Sequence, residues 1–233
     1  MSFGSPFPLI TPVESARHSM GHALAKYVLP KVPVKLRDGD VVRVGWSRDV
    51  SGMMPNKTHD KIFNWRRPSF SRTGSSVQCL TVPGVDYIYH YAKLIATAAE
   101  LQRAQISLTV EWPEHDAVRS FVRSTLPTLP AVDVTVLGFV HKILPASTAW
   151  SDTGIWRYSV TTIGKRSALF LGCEFSYWGD IVGETADELH QRGVSPWLIY
   201  CGKLGSLDRD MMPNTCLVTG NTSHVDGEGI VWN

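Results

Sequence analysis

The sequence predicts an α/β protein with a mainly parallel or mixed sheet and helices on both faces. Three observations lead there. From residue 77 onward, short strand-like runs alternate with helical patterns, the rhythm of strand–helix–strand units. The run VQCLTVPG (77–84) is apolar and closes on Pro-Gly, as a buried strand does. The 233 residues are 43% hydrophobic and 19% charged, enough for one large core or two small ones.

The elements follow in order. Residues 12–29, PVESARHSMGHALAKYVL, read as a helix that opens on Pro12 after a Thr11 cap. DGDVVRVGWSRDV (38–50) is a turn followed by a strand. Residues 51–76 have few periodic apolar positions and end in a Ser/Gly cluster, which reads as a long functional loop. Next come a strand at 77–84, a helix at 86–105, a strand at 106–112 and a helix at 113–129 with Pro113 in its first turn. VDVTVLGFVHKIL (132–144) reads as a strand. Residues 156–175 are two strands joined at Ile163–Gly164–Lys165–Arg166, a hairpin signal. A helix over 179–193 stops at Gly193, and strands follow at PWLIYCG, CLVTG (216–220) and GIVWN (229–233). This divides the chain into 1–76, holding a helix, a strand and a basic-aromatic loop, and an α/β domain over 77–233. GMMPNK (52–57) and DMMPNT (210–215) echo one another, but their flanks keep no fixed period, so they read as chance.

Composition excludes several classes. A net charge of +2 supplies no global field for nucleic acid or a membrane surface. No apolar run reaches the roughly 18 residues of a membrane span. The N-terminus MSFGSPFPLITP lacks the charged and apolar regions of a signal peptide. Cys79, Cys173, Cys201 and Cys216 form no C-x-x-C pair and read as buried thiols in a reducing, cytoplasmic compartment. Trp46, Trp65, Trp112 and Trp178 lie near polar or turn residues and suit a cleft. His18, His22 and Glu14 share a helix face, yet no glutamate stands between the histidines, so the face reads as solvated and no metal is expected. With no P-loop, dinucleotide glycine pattern or Ser/His/Asp order, no cofactor is expected either.

LIYCGKLGSL (198–207) holds the most specific local signal: a strand running into Gly202-x-x-Gly205 with Lys203 between. Glycines let a ligand approach backbone, and open α/β sheets bind ligands beyond the carboxyl ends of their strands. The order IGKRSALFLGCE, DIVGETADELHQRGV, LIYCGKLGSL, PNTCLVTGNTS, with LTVPGVDYIYHYAKLIATAAEL upstream, resembles the nucleoside phosphorylase and nucleosidase superfamily over residues 77–105 and 158–223. The resemblance implies a crevice for a nucleoside or phosphorylated small molecule and N-glycosidic cleavage. No arginine follows Pro83–Gly84, and Tyr200 stands where many phosphorylases carry a phosphate arginine, so the resemblance favours hydrolysis over phosphorolysis. The family's ribose-binding acidic segment and purine-protonating acid have no counterpart before Asn233, nor does the family account for 1–76 or 106–144.

On this reading Glu174 orients water or binds ribose, or else favours a helix N-terminus as Asp180 does. Tyr177 and Trp178 stack on a ring or pack the core. Lys203 binds an anion or sits in a surface turn. Gly84, Tyr200, Gly202, Gly205, Thr219 and Asn221 line the crevice, with Gly84, Gly202 and Gly205 at the ends of neighbouring parallel strands. Lys57, His59, Lys61, Arg66, Arg67 and Arg72, interleaved with Phe63, Trp65 and Phe70, make a basic-aromatic patch that suits a phosphorylated ligand; nucleic acid is disfavoured by the near-neutral charge. Two rivals remain open: a non-catalytic assembly subunit completed by another chain, and an enzyme of unrelated chemistry on a similar sheet. An apolar face near Leu217, Val218, Ile230 and Trp232 is expected to need cover from residues 1–76, from a second copy or from a partner chain.

Overall fold

The computed structural model describes residues 21–55, 63, 65–114, 116–138, 140–175, 179–201, 223–226 and 229–232. The chain falls into two compact units, Met1–Cys201 and Gly202–Asn233. In the second, β12 (Ser223–Asp226) and β13 (Gly229–Trp232) pair as an antiparallel hairpin.

The first unit is an α/β arrangement of two mixed sheets, and the sheets repeat one plan. In the first sheet β1 (Val41–Trp46) is parallel to β5 (Ser76–Thr81) on one side and to β6 (Ser107–Val110) on the other. β4 (Ser69–Thr73) turns at Gly74 into β5, and helix α2 (Val85–Gln102) carries β5 across to β6. In the second sheet β7 (Val134–Gly138) is parallel to β10 (Arg166–Cys173) and to β11 (Leu198–Cys201). β9 (Trp156–Ile163) turns at Gly164 into β10, helix α4 (Asp180–Gln191) carries β10 across to β11, and β8 (Ser151–Thr153) extends the far edge. The short helix before each first strand packs on the helix after each second: α1 (Gly21–Val28) on α2, and α3 (Ala117–Thr125) on α4. The strand orders β4-β5-β1-β6 and β9-β10-β7-β11 thus match position for position.

This is an internal repeat of topology that the sequence reading missed. Its trace is DVVRVGW at 40–46 against DVTVLGF at 133–139. The two aspartates play matching parts. Asp40 accepts hydrogen bonds from the Arg37 N–H and from the Arg72 guanidinium, which holds its carboxyl down at about 2. Asp133 accepts the N–H and hydroxyl of Ser167, which lower its pKa too. Each aspartate ties the start of a first strand to its neighbouring hairpin. Near the ends of the two strands, a side chain at Gly45 would meet Glu111, just past β6, and Leu80 of β5, while one at Gly138 would meet the Cys201 carbonyl of β11.

Among the described residues, α-helices cover one face of each sheet. In the first sheet Val42, Val44, Val77 and Cys79 point into the main core, while Val41, Arg43, Gln78 and Thr109 are exposed. In the second, Leu137, Leu169 and Leu171 face the main core. Val136, Ala168 and Phe170 face a second cluster closed by Phe63, Val140, Leu144 and Trp150, all from the connections between strands. Phe63 comes from the first module, and its ring occupies the space a side chain at Gly172 would need.

Three further expectations are corrected. Residues 51–76 include β2 (Met54–Pro55), β3 (Arg66–Arg67) and β4, not one loop. α3 runs Ala117–Thr125 rather than 113–129, because Pro127 forces Leu126 to an extended ψ of 122 and ends the helix. The strand expected over 132–144 stops at Gly138, whose φ of 99 only glycine adopts readily; a 3-10 turn over Val140–Lys142 follows. The strand at 216–220 lies outside the described residues, as do residues 12–20 of the first helix.

Gly172→Ala should push out the Phe63 ring and cost about 1–3 kcal/mol of stability, the scale of core overpacking. Urea unfolding checks this, and an unchanged midpoint would show that Phe63 does not anchor its segment.

Candidate functional site

Glu174 follows β10 and is buried, 2% exposed. Its Oε2 accepts a hydrogen bond from Arg66 Nε at 2.5 Å, and its Oε1 one from Arg157 Nη2 at 3.2 Å. Its carbonyl accepts the N–H groups of Trp65 and Arg66, both at 2.9 Å, and its own N–H donates to Ile155 O. Every polar group of Glu174 is therefore engaged by protein. The residue acts as a clamp: it fastens the 65–67 segment of the first module to the strand end of the second. Arg157 also reaches Asp152 at 3.4 Å, and the Arg66 guanidinium lies 4.6 Å from the Trp65 ring centroid.

Gly84 ends the turn after β5 and caps α2; a side chain there would meet Ile181 and Asp180 of α4. Here the two helix N-termini meet. Asp180, the first residue of α4, accepts the Val85 N–H of α2 at 2.6 Å. Asp86, in the first turn of α2, accepts the Asp180 N–H of α4 at 3.1 Å. Each helix lends its acid to the other's unpaired donors, which the helix dipoles favour. Gly179, at φ 65, leaves room for Asp86. Burial raises the pKa of Asp180; the Val85 N–H works against this, and the Asp86 charge adds to it.

Other expected site residues lie elsewhere. Tyr200 is on β11, 45% exposed, at the edge of the second sheet. Gly84 follows β5 of the first sheet, so the strands leading to Gly84 and to residue 202 are not neighbours. The expectation that these strands are neighbours is corrected: each sheet has its own set of carboxyl ends. Tyr177, Trp178, Gly202, Lys203, Gly205, Thr219 and Asn221 lie outside the described residues. So do Cys216, Leu217, Val218, Lys57, His59, Lys61, Glu14, His18 and the side chains of His22, Ile230 and Trp232.

The described arginines of the expected basic patch disperse. Arg66 goes to Glu174, Arg72 to Asp40, and Arg67 donates to the Arg66 carbonyl at 3.0 Å. Burial pushes the Cys173 thiol up to about 12, raises Cys79 further and raises Cys201. These are free thiols without thiolate character at neutral pH. Among the described residues no three His, Cys, Asp or Glu are grouped to hold a metal ion, and no helix is long and apolar enough to cross a membrane. Sequence reasoning missed Arg66, Arg157 and Asp86 as partners of buried acids and helix ends; those partners lie 108, 17 and 94 residues away, and no local pattern marks them.

No family model and no solved structure matches the chain. It is 28% identical over 236 residues to a protein named Oxidoreductase cns1 from Cordyceps militaris. The match takes in 82% of this chain, which spans 30% of that relative's length. This finding overturns the expected N-glycosidic cleavage, since the relative is named for redox chemistry.

Glu174→Gln should cost about 3 kcal/mol, the low end for breaking a buried ion pair, because it removes the counter-charge of Arg66 and leaves Arg157 with Asp152 alone. Arg66→Gln, which leaves Arg157 on the carboxylate, should cost less. Urea unfolding of the two variants checks the order. Asp180 gives a pH signature. Between its unfolded pKa near 4 and its raised folded value the native state binds more protons, so its contribution to stability falls as pH rises through that window. Asp180→Asn keeps an acceptor for the Val85 N–H and should flatten this part of the stability–pH curve; an unaltered slope would assign the dependence to other groups.

Proposed function

We propose that this chain serves an oxidoreductase-type function. The single observation that carries the reading is the likeness to Oxidoreductase cns1, which takes in 82% of this chain and so exceeds what either module alone could account for. The architecture supports it. Two parallel strand–helix–strand modules offer two sets of carboxyl strand ends, the place where α/β proteins take their ligands. The described thiols do not support dithiol exchange, because burial holds Cys79 and Cys173 protonated. Among the described residues, redox chemistry therefore calls for a bound electron carrier or redox-active substrate. Since the relative is much longer, the reaction of the whole protein is carried over only as its class. The resemblance to nucleoside phosphorylases is kept as a proposal about the ancestry of the sheet alone.

Incubation of the purified chain with a small-molecule extract and nicotinamide nucleotides, followed by mass spectrometry, tests the reading. The expected products differ from their substrates by two hydrogens. Products that differ by the elements of a sugar, or no turnover at all, would overturn it.

A further inference from the structure

In the second module a gap opens between β9 and the connection that precedes β8. It holds about 530 Å³, within the roughly 300–1,000 Å³ of small-molecule sites. One wall is the edge of β9 over Tyr158–Thr161. The other is the connection at Leu144, Pro145, Thr148 and Ala149, with Ser151 where the two walls meet. Two features keep the connection off the strand. Trp150 turns into the second core cluster, its ring edge-on to Phe63 at 4.8 Å. Pro145–Thr148 folds into a tight turn, in which the Thr148 N–H and hydroxyl both donate to the Pro145 carbonyl.

The edge of β9 is therefore open beyond the start of β8. In an antiparallel pair, alternate residues send their N–H and C=O to opposite edges. Trp156 and Tyr158 pair with Thr153 and Ser151 of β8 across a two-residue turn, and the Ile155 carbonyl points the other way, to the Glu174 N–H. Val160 has the same phase as Tyr158, so its N–H and C=O are directed to the open edge. Among the described residues no strand, loop or side chain takes them up.

The lining sets the chemistry of an occupant. An N–H beside a C=O pairs with an acceptor beside a donor, the pattern of an amide. Ser151, Tyr158, Ser159 and Thr161 add hydroxyls that donate or accept, and none of the four has a hydrogen-bond partner among the described residues. No lining residue is charged, so an ion entering the gap would lose hydration with nothing to compensate. Leu144, Pro145, Ala149 and the 45% exposed Val160 offer apolar surface to the rest of a bound molecule.

We propose that this gap binds a small uncharged amide with an apolar body, its amide edge on the Val160 backbone and its body against Leu144, Pro145 and Ala149. The neighbouring hydroxyls take up its remaining polar groups. Binding of this kind stands apart from the oxidoreductase reading, since it requires no electron carrier.

The test titrates the full chain with N-acetylphenylalaninamide, N-acetyltryptophanamide and their common anionic counterpart N-acetyltryptophan, by calorimetry and saturation-transfer NMR. At least one neutral amide should bind, and the anion about tenfold more weakly or not at all. Val160→Pro deletes the edge N–H while leaving the bonds of β9 to β10 in place, and should weaken binding about tenfold, the scale of a hydrogen bond lost with its partner left unpaired. Ala149→Phe places a ring in the gap from an exposed position, so it should abolish binding at the wild-type thermal midpoint. Ala149→Phe decides alone if Val160→Pro does not fold. Gln78→Phe, at an exposed position of the first sheet, should leave affinity unchanged. No binding of either neutral amide, equal binding of the anion, or binding that Ala149→Phe leaves intact overturns the site. A blocked pentapeptide of alternating valine and serine forms the last arm: binding of that peptide alone would assign the edge to strand addition and overturn the small-molecule site.

Discussion

The exchange of acids between α2 and α4 is the constraint on which the first unit turns. Two helix N-termini that meet head to head would oppose their positive dipole ends. Asp180 on the Val85 N–H and Asp86 on the Asp180 N–H convert that opposition into attraction. Small residues make the approach possible. Gly84 lies against Ile181 and Asp180, and Gly179 gives way to Asp86. Because α2 and α4 hold equivalent places in the two modules, this joint relates one module to the other. It also uses donors that many α/β proteins direct at a ligand, so binding chemistry has to be sought beside the joint rather than in it.

A second fastening comes from the connection between β1 and β4. Phe63 fills the space beside Gly172, and Arg66 meets Glu174 a few residues further on. An apolar plug and an ion pair thus hold one connection of the first module on the second sheet. The ion pair specifies the register, since both Glu174 oxygens and its backbone are committed, while the ring supplies burial. The surface ladder between α3 and α4, Arg119 with Glu184 and Arg123 with Glu188, is more exposed and contributes less.

The sequence by itself determined the elements whose causes are local. The i, i+3, i+4 spacing of Ile88, Tyr91, Ala92, Ile95 and Ala99 makes α2 a helix wherever it docks. Gly164 turns β9 into β10, and Gly193 at φ 63 stops α4. β4 escaped because SFSRT has no apolar alternation, as an edge strand with one pairing side needs none. What only the tertiary structure decided was which strand ends are neighbours, and with them the site. LIYCGKLGSL reads as a strand end that invites a ligand, but whether Gly84 joins it depends on sheet order, which no local pattern carries. Glu174 reads as an acid for chemistry, yet Arg66, 108 residues away, makes it a clamp. Periodicity records what each residue needs from its near neighbours in the chain. The partners of a buried charge are set by how distant segments close on one another, and that information is spread over the whole core.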